Sequence, residues 1–272
     1  MQAPTLLANG RYAEPREPMT SPRVLGRGLL WLGVALFLAV CVRLAEVDLP
    51  RLAEGLPRMA SWAARAWPPD TQDFDLMLLR AAETVAIATV GTLAATLLAF
   101  PVSLFIARNV TPARAVAWPV RAVVNACRGI DTVVFALLFV AAVGLGPFAG
   151  VLGMVVHSLG VIAKLNAEAI ETLPAAPAEA AAMTGAGRAK VVMFALLPAV
   201  APQLASVALY VWEANVRIST ILGLVGAGGI GLEIKAAIDL LDFQRLLTLS
   251  AIVLVMVTLI DQASGWLRAR LL

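Results

Sequence analysis

Apolar positions in this chain come in long unbroken blocks, without the regular polar alternation of a half-buried soluble helix or strand. Residues 84–107 contain no charge, and residues 132–163 run uncharged through a glycine–proline cluster, "GLGPFAG", at 144–150. At 1.5 Å per residue the first block makes about 36 Å of helix and the second about 48 Å, against roughly 30 Å of hydrocarbon. The first block crosses a bilayer once, with some tilt. The second is too long for one straight helix and predicts two spans joined by a turn at the cluster, the upstream one starting near Trp118. Further runs at 24–42, 191–212 and about 246–267 bring the expected spans to six, over 24–44, 80–107, 118–143, 148–168, 196–220 and 246–267. The expected fold class is all-α, a polytopic transmembrane helical bundle.

Composition agrees. The 272 residues are 60% hydrophobic and only 14% charged, with a mean hydropathy of +0.86. A soluble domain carries about 25% charged residues. The net charge of +3 does not point to nucleic acid, because the bases flank apolar runs and form no stripe with interleaved aromatics. Cys41 and Cys127 lie in or beside apolar runs without metal-ligand spacing and read as small buried apolar residues.

Between the spans, residues 1–23 form an aperiodic tail expected to be disordered and cytosolic. Over 45–79, Arg51, Arg58 and Arg65 recur every seven residues beside Trp62 and Trp67, the pattern of a helix lying in the membrane interface. Those tryptophans serve equally well as anchors for neighbouring spans. With the amino terminus inside, the inner segments 1–23, 108–117, 169–195 and 268–272 hold nine bases, and the outer segments hold five. This bias places both termini in the cytoplasm.

The same count places "PAEAAAMTGAGRAKVVMFALLPAVAPQ", residues 177–203, on the cytosolic side. Pro177 suits a first helical turn and Glu179 complements its dipole. Ala180, Ala181 and Ala182 favour helix, and Gly185 and Gly187 end it. Such a short exposed helix fits contact with a soluble partner. An ordinary interfacial linker is the plainer reading.

At this point the chain resembles a family. The "EAA" of Glu179, Ala180 and Ala181, Gly185 beyond it, and the Leu197–Pro198 pair resemble the coupling loop of bacterial binding-protein-dependent ABC importer permeases, with Ala195 where that family usually has isoleucine. "FALLFVAAVGLGPFAGVLG" at 135–153 and "NVRISTILGLVGAGGIG" at 215–231 look like the phosphonate importer permease, and "CRGIDTV" lacks the proline common there. The resemblance covers about 80–267 and implies a type I ABC importer permease-like core with its coupling loop at 172–198. It implies a bacterial inner-membrane protein that acts with two copies of a cytosolic ABC ATPase, a second copy of itself and a periplasmic substrate-binding protein. ATP and Mg belong to the ATPase, and this chain carries no cofactor. The implied cargo is phosphonate or a related small phosphorus oxyanion such as phosphite.

Charges inside spans are costly and should face protein or water. Glu213 and Arg217, four apart, share a helix face and can pair, as can Arg128 and Asp131. Arg217 and then Arg128, with Glu213 and Asn215, are the translocation-path candidates. Gly226, Gly228, Gly229 and Gly231 are expected, by resemblance, to form an outer-face gate. Arg80, Arg121 and Lys164 are expected to snorkel to the surface, and His157 to be a hydrogen-bonded packing residue. No catalytic or metal-binding arrangement is expected. The competing readings are a permease of the same superfamily for another cargo, such as methionine, a membrane-embedded enzyme acting on lipid, and a passive structural subunit.

Overall fold

The structure is a computed structural model that describes residues 22–111 and 114–271, preceded by a two-residue antiparallel pairing of Thr5–Leu6 with Tyr12–Ala13. The rest of the tail expected over 1–23 lies outside the described residues. The chain divides into two compact units, the first ending at Ser61 and the second beginning at Trp62.

The first unit holds α1 (Pro22–Leu44), a 23-residue apolar helix, and most of α2 (Leu49–Arg65). Helix α2 separates apolar and basic residues onto opposite faces and buries none of them, as an interfacial helix should. Asp48 starts it by accepting the Arg51 amide at 2.9 Å.

The second unit is built on α3 (Phe74–Ile106), 33 residues long. It begins six residues before the expected start at 80, because Leu76, Met77, Leu78 and Leu79 carry the apolar run upstream of Arg80, which pairs with Glu83 at 2.7 Å within the helix. One face of α3 is a stripe of small residues, including Ala81, Ala88, Gly91, Ala95 and Ala99, all buried. That stripe lets α6 (Pro147–Glu171) approach closely, and a Cβ on Gly91 would lie 2.9 Å from the Met154 sulfur.

The expected straight span 118–143 is corrected. It is two helices, α4 (Arg114–Gly129) and α5 (Thr132–Val143), meeting at 90°. Gly129 ends the first, and the Asp131 carboxylate caps the second by accepting the Val133 amide at 2.8 Å. The pair still crosses the bundle. Its start is tied by Arg121 to the Ile106 carbonyl at one end of α3, and the turn after it is tied by the Gly146 amide to the Gly226 carbonyl at the other end.

Beyond α6 come α7 (Ala176–Met183), α8 (Arg188–Val191), a π-helical turn (Val192–Leu196) and α9 (Leu197–Leu222). The last three run on as one long span. It starts eight residues before the expected 196. The π turn answers to sequence: Pro198 has no N–H for the carbonyl four residues back, and the Leu197 amide bonds Val192 instead. A 3₁₀ turn (Gly223–Val225), a glycine turn and α10 (Ile230–Asp239) lead into α11 (Phe243–Leu271). Among the described residues five helices are long and apolar enough to cross a membrane, and six spans result when the broken pair is counted as one.

Cys41 and Cys127 are free thiols, only half-buried, which corrects the expectation of full burial. Apolar side chains cover much of the outside, as hydrocarbon-facing helices require.

Candidate functional site

The stretch expected to couple to a soluble partner forms at one end of the bundle. Pro177 sits in the first turn of α7 and Glu179 beside it, while Gly185 takes a left-handed φ of 81° with its amide on the Ala182 carbonyl. No residue of α7 is buried, so Glu179, Ala180 and Ala181 stand on an open surface. Met183, 89% exposed, adds an apolar side chain to this surface that pattern reasoning missed. Leu197 and Pro198 lie just beyond the π turn, and a cavity of about 440 Å³ lined by Glu179, Ala182 and Leu196 separates the two parts.

In the middle of the bundle α9 and α11 bring four charges together. Glu213 accepts from Arg268 at 2.8 Å and from Arg217 at 3.3 Å, and Arg217 also reaches Asp261 at 3.3 Å. The depth follows from neighbours. The Trp212 indole donates to Thr89 and Asn215 donates to Thr92, and both threonines lie near the midpoint of α3. The expected Glu213–Arg217 pair is therefore half of a neutral quartet. Asp261 and Arg268 belong to it through a long-range approach of two helices that spacing does not reveal. Arg217 and Asp261 remain 47% and 42% exposed, level with the middle of α3.

Asn215 lies elsewhere. It is buried, and its amide donates to Thr92 and Ser158 at 2.8 Å each, tying α3, α6 and α9 together. Arg128 is exposed at the α4–α5 break, where its backbone nitrogen would be 2.6 Å from a Cβ on Gly160. The expected Arg128–Asp131 pair does not form, because Asp131 is engaged in its cap. Among the described residues Arg128 has no carboxylate partner. His157 is the packing residue expected: its Nδ1 lies 2.8 Å from the Ile130 carbonyl, which the break leaves without a helical donor.

The glycines occupy the opposite end. Gly226, Gly228 and Gly229 all have positive φ, and the turn is wedged against α3 and the α5–α6 turn. A Cβ on Gly229 would lie 2.5 Å from Thr84 Oγ1, which itself accepts the Ile230 amide at 2.8 Å. Gly231 backs directly onto the Thr220 carbonyl. A charge network pins α10 beside them: Glu233 meets Arg245 at 2.9 Å and Arg80 at 3.7 Å. Arg80 thus binds protein instead of snorkelling, Arg121 binds the Ile106 carbonyl, and Lys164 pairs with Glu168 at 3.1 Å.

The family described as "Binding-protein-dependent transport system inner membrane component" matches residues 73–272. The chain belongs to that family. Its members are permease components of transporters, not enzymes, and this permease has the fold of type I ABC importers. Two proteins of Stutzerimonas stutzeri resemble it. "Putative phosphite transport system permease protein HtxC" is 48% identical, over 85% of this chain and 82% of its own. "Phosphite transport system permease protein PtxC" is 39% identical, over 90% and 89%. "Phosphate-import permease protein PhnE" of Mycolicibacterium smegmatis is 40% identical over 76% of this chain and 39% of its own. Among solved structures, an inward-facing form of the MetNI methionine ABC transporter superposes with a TM-score of 0.67 at 24% identity, covering 75% of this chain and all of that one. That likeness concerns the fold alone.

Proposed function

We propose that this permease is the membrane-spanning subunit of an ATP-driven importer that carries phosphite, phosphonate or a related small phosphorus oxyanion into the cytoplasm. The observation that carries the reading is the 48% identity to HtxC across most of both chains. The methionine transporter's likeness does not favour methionine, since it holds at the level of fold.

In this reading α7 faces the cytoplasm with both termini, and two copies of an ABC ATPase, which hold the ATP and Mg, grip the Glu179–Ala181 surface. A second copy of the permease completes the path, and a periplasmic binding protein delivers the anion near α10. Arg217 and Arg128 line the path and supply positive potential. Glu213 shares Arg217 with Asp261 and so tempers its hold on the anion, which favours release. The glycine turn at 226–231 acts as the outer gate, a reading supported by its close packing against Thr84. Alternating access comes from differential contacts in two states.

Co-purification with the ATPase, then ATP hydrolysis with binding protein loaded with phosphite, methylphosphonate or methionine, tests the proposal. Stimulation by the phosphorus anions is the expected result. Stimulation by methionine alone would reject the cargo, and no ATPase capture would reject the importer.

A further inference from the structure

At the end of the bundle where α7 lies, a cleft of about 470 Å³ opens between the segment after α3 and the first turns of α4. Among the described residues its walls are Arg108, Thr111, Trp118 and Arg121, none of them a carboxylate. Arg121 is fixed in place, because Nε at 3.0 Å and Nη2 at 2.5 Å both donate to the Ile106 carbonyl. A carbonyl leaves the guanidinium's charge uncancelled, and Nη1 has no protein partner among the described residues. Arg108 gives only its backbone amide to Glu171, at 2.8 Å, and its exposed guanidinium has no ion pair among the described residues.

An adjoining cleft shares Arg108 and Arg121 and adds Lys164, Glu168 and Glu171. There Lys164 and Glu168 compensate each other at 3.1 Å, and Glu171 is engaged by the Arg108 amide. With Lys164 and Glu168 cancelling, the two arginines exceed the single Glu171 carboxylate by one charge, so the described residues around the clefts are net positive. Trp118 stands 74% exposed and three residues from Arg121, on the same face of α4.

Depth identifies what this cleft meets. Helix α3, with 33 residues, is about 50 Å long and outruns roughly 30 Å of hydrocarbon, so Arg108, just past its end, stands among head groups. Tryptophan favours that level, and paired guanidiniums match the oxygens of a phosphodiester. We propose that the cleft walled by Arg108, Trp118 and Arg121 binds the phosphodiester head group of an anionic membrane lipid.

The test uses the full chain in nanodiscs of equal phosphatidylglycerol and phosphatidylcholine, released for native mass spectrometry. Retained phosphatidylglycerol is expected to exceed phosphatidylcholine. Arg108→Gln should lower it about fivefold, a base near an anionic surface being worth about 1 kcal/mol. Arg108→Gln/Arg121→Gln should lower it further, while Arg188→Gln/Lys190→Gln leaves it unchanged. Because Arg121 also tethers Ile106, the Arg108→Gln arm decides if the double variant misfolds. Equal retention by wild type and Arg108→Gln overturns the proposal. A separate arm measures radiolabelled phosphate binding in phosphatidylcholine-only nanodiscs. Phosphate binding that is lost in Arg108→Gln, without any lipid preference, assigns the cleft to a free oxyanion and equally overturns it.

Discussion

Glu213 holds the charge quartet together, since it is only 14% exposed and accepts from both Arg268 and Arg217. Its neutralisation leaves two guanidiniums with Asp261 alone to balance them. Glu213→Gln should therefore lower folding stability by about 2 kcal/mol, the scale of charge-assisted hydrogen bonds, and more than Asp261→Asn does. Thermal unfolding of the purified permease measures both, and an equal effect would place the balance elsewhere. Arg217→Ala removes a half-exposed base whose loss leaves Glu213 still paired with Arg268. Assembly with the ATPase should survive while phosphite uptake falls at least tenfold. Normal uptake by an assembled variant would take Arg217 out of the path.

The glycines near α10 and those near α7 make an element-scale contrast. A Cβ on Gly231 would strike the Thr220 carbonyl and sit 2.7 Å from the Gly223 Cα, all backbone that cannot swing aside. Gly187 has nothing within 4 Å. Gly231→Ala should cut the yield of folded permease severalfold, with Gly187→Ala indistinguishable from wild type by size-exclusion profile and thermal stability. Helix α7 should show the reverse split between stability and function. Met183 and Glu179 are both exposed, so with Met183→Asp or Glu179→Arg melting stays unchanged while ATPase co-purification falls about tenfold. Retention of the ATPase by both variants would mean that the coupling surface lies off α7.

Most elements were legible because hydropathy and end signals are local. Helix α7 could be read from Pro177, Glu179 and Gly185, and the spans from their uncharged runs. The bend at 130 escaped because averaging over an apolar run hides a break, although Gly129 followed by Asp131 is a helix stop and a cap in sequence. The charge quartet and the α10 network escaped for a different reason. Glu213 with Arg268, and Arg80 with Glu233, meet only after α11 and α10 pack, and no spacing rule reaches across a fold.

For the molecule as a whole, the exposed quartet limits what can surround α9 and α11. A charge at the centre of a bilayer costs roughly 3 kcal/mol on insertion scales, so Arg217 and Asp261 cannot face acyl chains at no cost. Either water in a path or a second copy must cover them. Leu254, two turns nearer the start of α11, is 68% exposed and suits hydrocarbon. On a background lacking Cys41 and Cys127, Asp261→Cys in the assembled transporter should react with a membrane-impermeant thiol reagent, and Leu254→Cys should not. Trapping the ATPase with MgATP and vanadate should change the Asp261→Cys rate severalfold, because alternating access exposes the path from one side at a time. An unreactive Asp261→Cys that instead forms a disulfide between two copies would make the quartet a dimer contact. The anion would then have to pass by Arg128, where the α4–α5 break leaves a base with no carboxylate partner among the described residues.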